Sequence, residues 1–152
     1  MKYTFLILGI CVCGWSCKKD ADSGGDKTQL LTSADWKYDN GGIGDANGNI
    51  LFDFSSFGAI PDCSLDNSVR FNSGGTGTVS ENANVCSGAP ATASFTWSLS
   101  SDQNNLNVSG GAVAGISGNF KIKTLSSSKL TLTKDTTVSG YGSVTAIFNL
   151  KH

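Results

Sequence analysis

From Ser94 to Leu99 the chain alternates: Phe95, Trp97 and Leu99 fall on one side, Ser94, Thr96 and Ser98 on the other. A period of two marks a half-buried strand. After the polar run SSDQNN, Leu106 and Val108 resume the pattern. Folding the two segments antiparallel about Asp102–Gln103 sets Leu99 opposite Leu106 and Trp97 opposite Val108. The next strand, Asn119–Leu125, carries Phe120 and Ile122. A turn at Ser126–Ser128 pairs Ile122 with Leu132 and Thr124 with Leu130. A last fold about Gly140 pairs Leu132 with Phe148 and Leu130 with Leu150. Each hairpin gathers its apolar residues on one face, and a one-residue slip would send a strand's whole apolar set to the other side.

Earlier, SVRFNSGGTGTVSEN reads as strand, glycine turn, strand. Placing Val79 on the face of Val69 calls for one extra residue, so a bulge is expected near Gly77. Trp36 opens the sheet, and LLTSADW before it has room for a short helical turn at Gln29–Ser33. The expected strands are 35–39, 68–72, 77–82, 93–99, 104–109, 119–125, 129–134 and 144–150. The fold class is therefore all-β. Eight short antiparallel strands in sequential hairpins suit an up-and-down barrel, whose closure removes unpaired edges. A β-sandwich is the alternative, because strand number does not separate the two.

The start of the chain follows a different logic. Lys2 precedes a compact apolar run from Tyr3 to Val12, which suits a secretory signal and falls short of the roughly 20 residues a membrane span needs. GWSC follows and resembles a bacterial lipobox, with Ser16 before the cleaved bond and Cys17 after it; Gly14 stands where an aliphatic residue is usual. The resemblance implies acylation at Cys17 and an outer-membrane, lipid-anchored location on the periplasmic or cell-surface side. Several acyl chains on one residue anchor a protein durably, whereas one chain holds it only marginally. Residues 1–16 are thus expected to be the signal peptide, 17–27 the lipidated cysteine and a polar tether, and 28–152 one domain. The run KKDAD also resembles the surface-export signals of such lipoproteins.

The leader carries Cys11 and Cys13, and lipid consumes Cys17. Cys63 and Cys86 remain, and in an oxidising compartment an even pair is expected to form a disulfide. They lie equidistant from Gly74–Gly75, at the open end of that hairpin. The full chain has 11 Lys+Arg against 12 Asp+Glu. That balance provides no basic surplus for nucleic acid and no polybasic patch for anionic lipid.

Taken together, WKYD, PDCSLDNSVRFNSGGTGTVSENANVC, FTWSLSSDQNNLNV and KIKTLSSSKLTL resemble the lipocalin-like domains of secreted Bacteroidetes lipoproteins. The resemblance covers nearly all of the mature chain. It implies a barrel that takes a small hydrophobic or amphiphilic molecule, acting as a monomer without cofactor. Two departures stand out. Ala34 replaces the glycine of the lipocalin Gly-x-Trp motif, and no arginine is present near the end to stack on Trp36. Residues 40–60 look like an insertion in the first connection.

Candidate chemistry is sparse. Phe95, Trp97, Phe120 and Phe148 belong to the inward set and are the expected ligand-binding residues, together with Lys134, which continues the Leu130, Leu132 series. Lys134 either reaches the rim and snorkels into water or meets a ligand carboxylate at the cavity entrance. Large members of the inward set can fill the barrel, while Thr124, Thr136, Ala146 and Gly110 leave room at one end. Asp45, Asn47 and Asn49 have the spacing of a calcium loop. However, Ile50 and Ser56 occupy the positions that want Gly and Glu, so a plain turn is expected and no metal. Phe52, Phe54 and Phe57 suggest a lid over the mouth or a flap packed on the barrel. Asp135-Thr136-Thr137 resembles an O-glycan acceptor. A nucleophile needs a base within reach, and the single histidine is His152, so no catalytic residues are expected and the protein is not expected to be an enzyme. The alternative function is an accessory surface lipoprotein with a filled barrel that contacts a protein or glycan.

Overall fold

The computed structural model describes residues 26–45, 47–113, 115–138 and 142–152. The expected signal peptide, Cys17 and the tether up to residue 25 lie outside the described residues, as does the turn residue Gly140. The described elements are a helix α1 (Lys27–Thr32) and strands β1 (Trp36–Gly44), β2 (Ile50–Asp53), β3 (Ser68–Asn72), β4 (Thr76–Ser80), β5 (Thr92–Leu99), β6 (Asn105–Val113), β7 (Ile116–Leu125), β8 (Lys129–Val138) and β9 (Gly142–Lys151).

Consecutive strands from β3 to β9 pair antiparallel, and β1 pairs with both β3 and β9. Eight strands thereby close into a barrel rather than a sandwich, and β2 is an additional strand on β1. The hairpin registers follow the apolar alternation. Leu99 faces Leu106, Trp97 faces Val108, Leu132 faces Phe148 and Leu130 faces Leu150. Inward residues of all these strands form one core, including Trp36, Phe71, Phe120, Phe148, Leu106 and Leu132.

The registers depart from the sequence expectation in two places. Ile122 faces Leu132, but the register then shifts, so Thr124 faces Thr131 and Leu125 faces Leu130. The shift turns Thr124 out to solvent and packs Leu125 against the core. A bulge that exchanges a threonine for a leucine on the inner face is favoured by apolar burial. In the β3–β4 hairpin the expected bulge at Gly77 is absent, and Val69 faces Val79 in unbroken register. The last pair is Asn72 with Thr76, so three residues turn the chain, and Gly74 and Gly75 there have φ of 98° and 82°. An odd-numbered turn supplies the one-residue offset, and glycine makes it accessible.

β1 runs well past the expected 35–39. Its glycine-rich second half, Asn40–Gly44, carries no alternation, yet it pairs with Asn149–Thr145 and closes the barrel. The excursion from the wall is therefore residues 45–60, not 40–60. Glycine suits this stretch because β2 lies directly against it: a Cβ on Gly42 would run into the Phe52 carbonyl.

One end of the barrel is plugged. The Asp26 carboxylate accepts the Thr28 N–H at 3.0 Å and starts α1 at Lys27, the last residue assigned to the tether. Leu31 is fully buried, a contribution of about 2 kcal/mol. Its carbonyl accepts the Trp36 indole N–H at 2.9 Å, and the Lys27 N–H donates to Gln103 in the β5–β6 turn at 2.9 Å. The opposite end holds the Cys63–Cys86 disulfide, with Cα atoms 5.1 Å apart.

Candidate ligand site

Period-two alternation on β3, β4 and β5 stacks the inner face in tiers. Phe71, Gly77 and Phe95 lie in one register; Val69, Val79 and Ala93 lie in the next, toward the disulfide. Continuing the same period, Asn67 and Glu81 come next, and the Asn67 amide donates to the Glu81 carboxylate at 2.9 Å. The interior thus passes from aromatic to aliphatic to polar.

The lower tier is closely packed. A Cβ on Gly77 would strike the Phe95 ring and lie 2.6 Å from the Arg70 carbonyl oxygen, so only glycine lets that ring cross β4. Phe71 meets Phe95 and Trp97 edge-on, with ring centroids 5.3 and 5.5 Å apart. Trp97 satisfies its indole N–H on the Thr76 carbonyl at 2.8 Å. Across the barrel, Phe120 and Phe148 make a second edge-on pair at 5.9 Å. Phe54 lies 5.3 Å from Phe148, carried in by the 3-10 turn Phe54–Phe57 that follows β2.

Above the first aromatic cluster is a cavity of about 150 Å³. Tyr38, Val69, Val79, Ala93 and Leu150 wall it; Ser64, Asn67 and Glu81 stand at its polar side, with Gly110, Gly111 and Gly115 beside them. Ala93 is exposed although it continues the inward series of Phe95 and Trp97, so the cavity opens to solvent. The Glu81 carboxylate accepts the Cys86 N–H at 2.9 Å as well as the Asn67 amide, tying the polar tier to the disulfide. Burial pushes the Tyr38 phenol up to about 12, and the negative charges of Asp53 and Asp39 add to the shift. Asp66 Oδ1 and Asn67 Oδ1 are buried with no hydrogen-bond partner among the described residues.

A family model described as a lipocalin-like domain matches residues 34–132. The chain belongs to the lipocalin-like domain family. The matched stretch holds the cavity-lining residues from Tyr38 to Gly115. A comparison with curated proteins finds no match.

Within this lipocalin-like barrel the residues expected to bind ligand are otherwise engaged. Phe95, Trp97, Phe120 and Phe148 are buried in aromatic contacts, and none of them lines the cavity. Lys134 is half-buried beside Ala146; its Nζ donates to the Ser117 carbonyl at 2.7 Å and lies 5.5 Å from the Phe120 centroid. Large side chains fill the barrel, and the space remains where the inward residues are small. Gly110, expected to leave room, does line the cavity. Asn67 and Glu81 went unrecognised, although both lie two residues beyond the paired Val69 and Val79.

Trp36 does have a stacking partner in this lipocalin-like chain. The His152 ring lies 3.8 Å from it, and its Nδ1 is 3.1 Å from the Asp35 carbonyl. Asp45 closes a tight turn: its carboxylate accepts the N–H groups of Asn47 and Asn49 and the Asn49 amide, each at 2.9 Å. These bonds, the Asn49 side chain first, hold its carboxyl below the usual value. Among the described residues no group of three or more His, Cys, Asp or Glu is placed to hold a metal ion. Phe52 and Phe57 remain exposed, 55% and 64%, while Phe54 pins the excursion to the core.

Proposed function

We propose that the protein is a lipid-anchored binding protein of the outer membrane that holds a small amphiphilic molecule at the open end of its barrel. The cavity of about 150 Å³ carries this reading, because it joins an apolar wall to a polar mouth. A void of that size takes a benzene-sized guest. It is smaller than the roughly 300 Å³ from which pockets envelop drug-sized ligands. The guest therefore inserts a ring or a short branched group, and a long acyl chain is not swallowed whole. The disulfide supports an exported setting, and GWSC supports an anchor at Cys17.

Native mass spectrometry of the protein purified from its own membranes tests the reading. We expect a retained small mass, lost in Ala93→Trp, which fills the cavity. A clean apo mass supports instead the accessory lipoprotein with a filled barrel, a reading that the packed aromatic interior favours. For the anchor, Cys17→Ser is expected to move the protein from the membrane to the soluble fraction.

A further inference from the structure

Hydrogen-bonding groups at the cavity mouth are weighted toward acceptors. Glu81 is the charged side chain of the lining among the described residues. Each of its oxygens takes one donor, Oε1 the Asn67 Nδ2 and Oε2 the Cys86 N–H. An ionised carboxylate offers about four acceptor sites, so roughly two stay free. Because a carboxylate only accepts, it sets the Asn67 amide with its NH₂ toward Glu81 and leaves Oδ1 without a donor. A donor brought to the cavity meets in Asn67 Oδ1 an acceptor whose desolvation is otherwise uncompensated.

Charge along this part of the chain leans the same way. Between Lys37 and Lys121 the chain carries a single basic residue, Arg70, against seven acids, of which Asp39 pairs with Lys151 at 2.7 Å and Asp102 lies in the β5–β6 turn at the plugged end. Arg70 pairs with Asp35 at 3.4 Å, next to Trp36 at the plugged end. The inner-face lysine, Lys134, gives its ammonium to the Ser117 carbonyl.

We propose that the cavity takes a small amphiphile headed by a nitrogen donor, an amine with a short aromatic or branched tail, and rejects the carboxylate-headed counterpart. The proposal rests on the cavity being a ligand site. The head meets Glu81 in a charge-assisted hydrogen bond, about twice as strong as a neutral one. The tail lies on Val69, Val79, Ala93 and Leu150. A ligand carboxylate would stand beside a like charge, with the Tyr38 and Ser64 hydroxyls and the second N–H of the Asn67 amide as the side-chain donors of the lining among the described residues.

Titration of the disulfide-bonded protein with benzylamine, toluene and benzoate, followed by ligand-observed NMR at low ionic strength, tests this. Benzylamine is expected to bind at least about tenfold more tightly than benzoate, with toluene between them. Added salt should weaken benzylamine and spare toluene, and Glu81→Gln should remove the preference for the amine. The salt series needs no variant, so a misfolded Glu81→Gln leaves the test intact. If toluene binds and benzoate equals or exceeds benzylamine, the proposal is overturned while the cavity reading stands. If none of the three binds, both fall.

Discussion

Removing the Cys63–Cys86 bond tests how the open end is held. The double variant Cys63→Ala/Cys86→Ala avoids leaving a lone thiol. The bond closes a loop of 23 residues around the β3–β4 hairpin. The chain-entropy relation for a loop of that length gives about 3 kcal/mol of stabilisation, acting through the unfolded state. The folded state gives little back, because a Cα separation of 5.1 Å lies within the ordinary disulfide range. Urea unfolding read by tryptophan fluorescence measures the change, since Trp36 and Trp97 are both buried. With a slope of about 2 kcal/mol per M, the midpoint should fall by roughly 1.5 M. The slope itself should rise, as the opened chain exposes more surface on unfolding. A loss below about 1 kcal/mol would refute the reasoning. It would mean that the hairpin already restrains residues 63–86 in the unfolded chain.

Gly77→Ala should cost about 1–3 kcal/mol, since the new methyl meets the Phe95 ring and the Arg70 carbonyl; an unchanged urea midpoint would show that β4 gives way freely. Tyr38 sets a pH limit. Its folded value is about 12 against an ordinary 10.0, so above pH 10 the unfolded chain sheds a proton that the folded chain keeps. Stability that is present in full below pH 10 should therefore fall as pH climbs toward 12, and Tyr38→Phe should flatten that fall in an alkaline denaturation series. Lys134→Met should leave benzoate affinity unchanged, because Nζ is committed to Ser117; a tenfold loss would restore Lys134 as the ligand's partner.

Local alternation determined a large share of this fold. Pairs such as Trp97–Val108 and Leu132–Phe148 were legible because a side-chain period of two and a short turn together leave one register that keeps both apolar sets inside. The disulfide was legible from cysteine number and from its symmetry about the glycine turn. What depended on contacts across the barrel was not legible. Asn40–Gly44 has no alternation and becomes wall only because β9 comes round to meet it. The shift after Ile122 reflects a choice between threonine and leucine for an interior place, which opposing strands decide. The site follows the same rule. The sequence named the inward aromatic residues, but which of them would touch one another depended on tiers from distant strands meeting inside the closed barrel. Packing then filled the aromatic levels and left the cavity where Val79, Ala93 and Gly110, on three neighbouring strands, are too short to fill the space toward Tyr38 and Leu150, because a void is a property of opposed surfaces and no single strand encodes it.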